Sequence, residues 1–430
     1  MDVRRWAARA VAVLTASGVV AGGGWLAFGR APELSVSGVS VSLPDAAVEA
    51  ERKVGAAVDV ILQRRARAVL AGDQAAFLRD VDPANAALRR KHAGLFQNLR
   101  TIGFKALAYH RAEAWMSDKT PAGATAFRVV MRYQFKDAGH APAVTELGYT
   151  FGSKAGRWLL LDDDNLDRDL DDDGHRQPWD FGPIQVVRKP GVFVIVSAGD
   201  GALGRKIAAD SQTSLAEVRK AWQTRLQPTI VVVAMREKQV LATTWALPGH
   251  AIAAVAKPVI DNTVPIDRTT AKVVGGLIVI SPKMRGRIDT NLLAHEFTHV
   301  GAVRLGGGAP LWLVEGLAEY VGYRVAAQRS RGWARGVEVY RDEIRAESLR
   351  ALKVLPIDGV FHGDFGEDSY GVSWLAVEHL VKAVGIRKVI DLYVEVARSE
   401  GDPARRDQLL RKHTGFTEPK LVAALQASAR

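Results

Sequence analysis

The sequence predicts an α+β protein: an N-terminal membrane anchor, a small domain of helices followed by an antiparallel sheet, and a larger domain whose small sheet gives way to a mostly helical C-terminal part. Three observations carry this. Helical periodicity that begins near Ala46 switches to short strands at Gly103, the sharpest change of composition is an aspartate-rich run at 162–174, and from Gly191 strands and helices alternate until helices take over. A chain of 430 residues suits two domains and a leader.

Composition narrows the class. With 48% apolar and 24% charged residues a folded globular body is expected. The chain has 0 cysteines, which excludes disulfides, cysteine-ligated zinc, a thiol nucleophile and an acylated lipoprotein cysteine. A net charge of +11 favours an acidic partner, but the basic residues are scattered and no nucleic-acid-binding signature appears, so nucleic acid is not expected as a partner.

The first thirty residues read as a transmembrane anchor or a signal peptide. Arg4, Arg5 and Arg9 precede an uncharged run from Ala10 to Phe28, about long enough to span a bilayer. The charge asymmetry places the N-terminus in the cytoplasm and everything after Arg30 outside. The small-x-small site Ala27-Phe28-Gly29 is poor for cleavage, so a single-pass anchor in the cell membrane is preferred and a secreted product is the alternative. Residues 31–44, rich in serine, valine and glycine, form a tether or an initial strand.

From Asp45 to Asp164 the pattern is helices, then strands. Val54, Val58, Leu62 and Leu70 mark one amphipathic helix that continues through Phe77-Leu78, and Leu88 to Leu99 mark another after Pro83. Strands follow at Gly103–His110, Ala126–Phe135, Val144–Phe151 and Arg157–Leu161, separated by turns with glycine and proline. His110, Trp115 and Tyr133 form no recognisable catalytic set. Residues 165–190 read as an acidic linker. Asp169, Asp171, Asp173 and Gly174 fit the first half of a calcium loop, but Arg176 and Pro178 interrupt the second half and Asp180 replaces the expected glutamate.

Gly191 to Arg430 forms the second domain. Strands are expected at Val192–Ser197, Thr229–Met235, Ile252–Ala256 and Val273–Ile280, with a helix at Ser214–Leu226. Asp289 or Thr290 caps the next helix, which runs to about Arg304 and is ended by Gly306, Gly307 and Gly308. Pro310 opens another, to about Gln328. The stretch beyond Gln328 is basic and polar. After the glycine- and aspartate-rich loop Asp358–Asp368, helices resume at Tyr370–Val381, Arg387–Ala397, Asp407–His413 and Glu418–Ser428.

The chemistry concentrates in Leu293-Ala294-His295-Glu296-Phe297-Thr298-His299. Histidines four apart on a helix share a face, so His295 and His299 can reach one metal while Glu296 stands beside it. A catalytic zinc takes three protein ligands and leaves one position for water, so a third ligand must follow. Glu315 is the candidate, and Glu319, one turn on, is the alternative. Glu296 suits a general base that takes a proton from water and returns it to a leaving amine. If Glu315 is the ligand, Glu319 is placed to accept the free N–H of a ligand histidine and fix its tautomer.

At these residues the chain resembles the gluzincin metallopeptidases, particularly the peptidase MA-like group related to the gluzincin aminopeptidases. In that group His-Glu-x-x-His is followed by a Trp-Leu-x-Glu-Gly-x-Ala-x-Tyr helix, matched here by Trp312-Leu313-Val314-Glu315-Gly316-Leu317-Ala318-Glu319-Tyr320. The resemblance implies a gluzincin domain over Gly191 to Arg430, a Zn2+ cofactor with Glu315 as its third ligand, and a peptide or protein substrate. It implies that an edge strand, Val273–Ile280, pairs with an extended peptide. It also implies that Tyr370, opening a later helix, donates its hydroxyl to the oxyanion; a core aromatic is the other reading of Tyr370. His362 is a weaker candidate for that donor, and His379 reads as a packing or surface residue.

The resemblance has a departure and a companion. The Gly-x-Met-Glu-Asn stretch with which the aminopeptidases hold a free amine is absent, and the interval from His299 to Glu315 is somewhat short. Endopeptidase activity is therefore expected over aminopeptidase activity, with a noncatalytic binding protein as the rival. Asp45–Asp164 is similar in pattern alone to the nuclear-transport-factor-like domains, whose curved sheet wraps on N-terminal helices.

Overall fold

The computed structural model describes residues 45–115, 119–137, 141–170, 176–222, 226–244, 253–261, 272–361, 366–399 and 401–429. The anchor and tether, His362 and the core of the calcium-like run lie outside these residues. No helix among the described residues is long and apolar enough to cross a membrane.

The architecture is mixed α+β. Helices α1 (Asp45–Ala71), α2 (Gln74–Leu78) and α3 (Ala86–Ile102) come first. The single long helix expected through Leu78 is broken at Gly72, whose φ is +80°, and Asp73 restarts it by accepting from Ala76 N at 2.9 Å. Leu70, expected on the buried face, is 43% exposed, whereas Phe77 beyond the break is fully buried. The strands β1 (Phe104–Trp115), β2 (Ala124–Phe135), β3 (Ala143–Lys154) and β4 (Arg157–Asp162) follow as an antiparallel meander in the order β1-β2-β3-β4. Bulges at Arg111/Ala114 and Thr150/Phe151 bend this sheet.

This first unit buries a charged cluster under its helices. Arg65 Nη2 lies 2.9 Å from His92 Nδ1, and a guanidinium can only donate. The His92 proton therefore sits on Nε2, 3.3 Å from Asp163 Oδ2, while Lys91 Nζ donates to Asp163 Oδ1 at 2.6 Å. Burial, and then the Arg65 charge, push the His92 pKa down from 6.5 to about 4.

The stretch read as an acidic linker contains α4 (Asn165–Leu170) and a strand, β5 (Ile184–Lys189), that the charge of its surroundings concealed. Asn98 clasps it, donating through Nδ2 at 2.8 Å to both Trp179 O and Gly182 O and accepting from Ile184 N at 3.2 Å. Then come β6 (Val192–Ser197), α5 (Gly201–Trp222), β7 (Ile230–Ala234), β8 (Ala254–Asp261) and β9 (Lys272–Ile280). Helix α5 begins thirteen residues before Ser214. Gly201 and Gly204 serve close packing: a Cβ on Gly204 would lie 2.9 Å from Val187 Cγ2.

The second sheet has the order β5-β6-β7-β9-β8, with β6, β7 and β9 parallel and the outer strands antiparallel. Here an expectation is corrected. Val273–Ile280 is not an edge strand: β9 is paired on both sides, and β8 is the edge. The unbroken apolar run of β9 fits an interior strand, and Pro258 in β8 fits an edge, because proline cannot donate to a ladder.

Strand alternation gives this sheet two buried faces. Val194, Val232 and Ile278 face the helical body, whereas Phe193, Ile195, Val231, Val233 and Val279 join the apolar cluster of the first unit. Phe135 of β2 stacks on Phe193 of β6 with centroids 5.7 Å apart, and Arg132 bonds Asp261 at 2.6 Å. The first sheet thus covers a face that would otherwise be apolar and wet.

Helices complete the chain: α6 (Thr290–Ala302), α7 (Leu311–Arg329), α8 (Arg331–Ile344), α9 (Gly366–Val384), α10 (Ile386–Ala397), α11 (Pro403–Thr414) and α12 (Glu418–Ser428). Only α8 was not anticipated, because its polar face dominates its sequence.

Two outcomes follow. Phe135→Ala removes a ring held between both sheets and is expected to cost about 3–5 kcal/mol in chemical denaturation, with both units unfolding together. The depressed His92 pKa means that the unfolded chain binds this proton more readily. Stability is therefore expected to fall as pH drops from 6.5 to about 4, by roughly 3 kcal/mol from this group. Urea midpoints at pH 7 and pH 4 test this, and an equally steep loss in His92→Gln would assign it elsewhere.

Candidate metal centre

The site is built on two helices, α6 and α7, that pack against each other. Asp289 caps α6 by accepting from Leu292 N at 3.0 Å, and every residue from Thr290 to Ala302 is buried. That burial needs close neighbours: a Cβ on Gly301 would lie 2.7 Å from the Trp222 ring, so α5 approaches at this point. Gly306, with φ +104°, turns the chain back, and Gly308 N donates to Ala397 O at 3.0 Å. Pro310 has no side chain that can cap α7. Asp358 does so from afar, its Oδ1 accepting from Leu311 N at 2.8 Å.

The four-residue spacing then aims side chains from both helices into one space. His295 Nε2 and His299 Nε2 are 2.9 Å apart, and Glu315 Oε2 lies 3.4 Å from the first and 3.5 Å from the second. Ligands on a tetrahedral ion at about 2.0–2.1 Å stand roughly 3.3 Å from one another, so this triangle has the dimensions of one face of such a site. Glu319 Oε1 lies 3.3 Å from His295 Nδ1, on the far side of the ring. Of the two glutamates, Glu315 joins the triangle and Glu319 backs the histidine.

The charges favour a cation. His295, His299, Glu315 and Glu319 are all between 0% and 3% exposed. Glu315 Oε2 and both Glu319 oxygens lack a hydrogen-bond partner among the described groups. Buried carboxylates without donors are costly, and a divalent ion at the triangle removes that cost. Without one, protons take its place. Burial opposes a charged His295, yet Glu319 and Glu315 raise its pKa well above 6.5. Burial would raise Glu315, but His299 and His295 hold it at about 2. Burial raises Glu319 despite His295 beside it.

Glu296 and Tyr370 border the same space. Glu296 is fully buried one residue after the first histidine. Burial raises the Tyr370 pKa well above 10, and the negative charges of Glu315, Glu319 and Glu296 raise it further. Phe361 fixes its ring edge-on at 5.3 Å. The contact that sets α9 against α7 is at Gly316, where any Cβ would overlap the Ser373 carbonyl oxygen. Tyr323, Tyr340 and Trp374 stack behind it, with Tyr323 and Trp374 centroids 4.2 Å apart.

The other candidates separate from the site. His379 packs edge-on against Phe416 at 5.3 Å, and Tyr133 is a core ring against Phe135 and Trp179. His110 lies on β1 of the first sheet. Asp358 and Ser373, which support the site, were not found by sequence reasoning. A capping aspartate 47 residues away carries no local signal.

No family model matches the chain, and no curated protein matches it.

Gly316→Ala is expected to force α7 and α9 apart. Overpacking of this kind costs about 1–3 kcal/mol, and it displaces Tyr370 relative to Glu315. Thermal unfolding and metal titration of the variant check it: a wild-type midpoint with wild-type affinity would show that the helices absorb the methyl group.

Proposed function

We propose that this chain is an exported, membrane-tethered zinc endopeptidase of the gluzincin kind, with a nuclear-transport-factor-like unit ahead of its catalytic domain. The observation that carries the reading is the buried triangle of His295 Nε2, His299 Nε2 and Glu315 Oε2, with Glu296 buried next to His295 in the chain and its charge, with those of Glu315 and Glu319, acting on Tyr370. Two imidazoles and one carboxylate are a catalytic zinc donor set. When bound, the metal supplies an acidified water and a Lewis acid for a carbonyl oxygen.

The chain's own residues do the rest. Glu296 accepts a proton from the attacking water and delivers it to the departing amine, so one peptide bond and one water become a carboxylate and an amine. Tyr370 donates its hydroxyl to the carbonyl oxygen as negative charge develops there. Glu319 holds the His295 ring and keeps its Nδ1 side protonated. The edge strand β8 takes over the peptide-pairing role expected of Val273–Ile280, since it has one partner strand among the described residues. The missing Gly-x-Met-Glu-Asn stretch favours internal over N-terminal cleavage.

The rival is a binding protein on the same scaffold, with a metal that performs no chemistry. Metal analysis and two variants divide the readings. Wild type is expected to hold one zinc per chain and to lose cleavage with chelator. Glu296→Gln keeps the zinc and loses activity by a factor of about 10³ or more, and Tyr370→Phe lowers kcat about 10²-fold with little change in KM. Full activity in Glu296→Gln sinks the base assignment, and a wild type without zinc sinks the site.

A further inference from the structure

The first sheet is closed along one end and open along the other. On the outer side of β4, Leu160 N donates to Asp80 O at 2.7 Å and Leu160 O accepts from Asp82 N at 3.0 Å. At the opposite end, β1 has one partner strand among the described residues. A long bare edge presents a row of backbone donors and acceptors, which folded proteins cover or blunt. Here the edge borders a groove of about 530 Å³. Asp59, Gln63 and Arg67 of α1 line one wall, and Leu107 to Arg111 of β1 line the other. Successive strand residues point to opposite faces, so a consecutive run that all lines the groove places it along the strand edge itself.

The neighbouring chain supplies an occupant. Ahead of the described residues, Leu34-Ser35-Val36-Ser37-Gly38-Val39-Ser40-Val41-Ser42-Leu43 alternates aliphatic residues with serine, between Pro32 and Pro44. That is the period of a half-buried strand, with one extra residue at Gly38 of the kind a β-bulge absorbs. Its length and point of attachment fit the groove. Arg100, just before β1, donates to Val69 O near the end of α1 at 2.9 Å, whereas Arg111 Nε donates to Asp59 Oδ1 nearer its start at 3.1 Å. Helix α1 therefore runs opposite to β1, and the chain enters it beyond the Arg111 end. Asp45 precedes Asp59 by fourteen residues, about 21 Å of helix. Ten extended residues span about 33 Å, so 34–43 can return past Arg111 to the level of Ala108. On that course they lie parallel to β1, and α1 to α3 form the crossover that parallel neighbours require.

We propose that residues 34–43 add to the open edge of β1 as a parallel strand of the first sheet. The aliphatic residues then turn inward on the side of Leu107 and Tyr109, which are buried, and the serines share the outer side with Ala106 and His110, which are exposed. With residues 1–30 read as an anchor, the stretch left between membrane and folded unit shrinks to Ala31–Glu33. The strand thus fixes how the first unit stands on its anchor. It depends on neither the metal centre nor its chemistry.

The chain has 0 cysteines, so engineered pairs report without background. In the full-length chain in detergent, each of Ser35→Cys, Ser37→Cys, Ser40→Cys and Ser42→Cys is combined with Ala108→Cys or with His110→Cys and oxidised. One serine position is expected to crosslink to Ala108→Cys within the chain at least about tenfold faster than the others, because a disulfide needs Cα atoms roughly 4.4–6.8 Å apart. With His110→Cys the preferred position moves to the next serine toward Leu43, as parallel pairing demands. In a second measurement, Val39→Asp/Val41→Asp speeds amide exchange over Leu107–Arg111 at least about tenfold and leaves β3 unchanged. Equal crosslinking at all four serines, absence of any crosslink, or exchange unaffected by the aspartates overturns the proposal. Disulfides between two chains overturn it as well and assign the edge to a second copy. None of these outcomes touches the reading of the metal centre.

Discussion

Four buried groups that cannot all be satisfied by protein neighbours organise this molecule. His295, His299, Glu315 and Glu319 are buried between α6 and α7, where the carboxylate oxygens find too few donors among the described groups. Burying such charges unpaired is so unfavourable that only an exactingly placed counter-charge makes the arrangement stable. A divalent ion at the triangle would supply it. The helices are therefore held by groups that repel unless something positive sits among them.

Packing elsewhere serves to keep those groups in register. Glycines do much of this by absence of side chain: Gly301 lets the Trp222 ring reach α6, and Gly316 lets the Ser373 carbonyl reach α7. The aromatic stack of Tyr323, Tyr340 and Trp374 then ties α7, α8 and α9 into one block. Because α9 also carries Tyr370, the placing of this phenol relative to α7 depends on one close helix contact.

The first unit is part of the same physical problem at a greater distance. A mixed sheet whose strands alternate apolar residues to both faces needs two covers. Helices α5 and α6 provide one, and the rings of Tyr133, Phe135 and Trp179 provide the other. The sheet that carries β8 and leads into α6 is thereby held from behind, and the site inherits that support.

Periodic and local features were legible in the sequence. The four-residue spacing of His295 and His299, the Asp289 cap, the strands β6 and β9 and the helices α6, α7, α10 and α12 all arise from interactions within a few residues, which amino-acid order records directly. Chemistry at fixed helical spacing belongs to the same class, and so Glu315 and Glu319 were found together. Which of the two faces the triangle, that β9 is interior and β8 the edge, that α5 begins at Gly201, and that Asp358 caps α7 were decided by the tertiary structure. Each depends on a partner remote in the chain, through a close glycine contact, a second neighbouring strand or a distant side chain. Sequence alone determined what groups the site has. Their distances, and hence their electrostatics, came only from the fold that brings two helices together around one buried space.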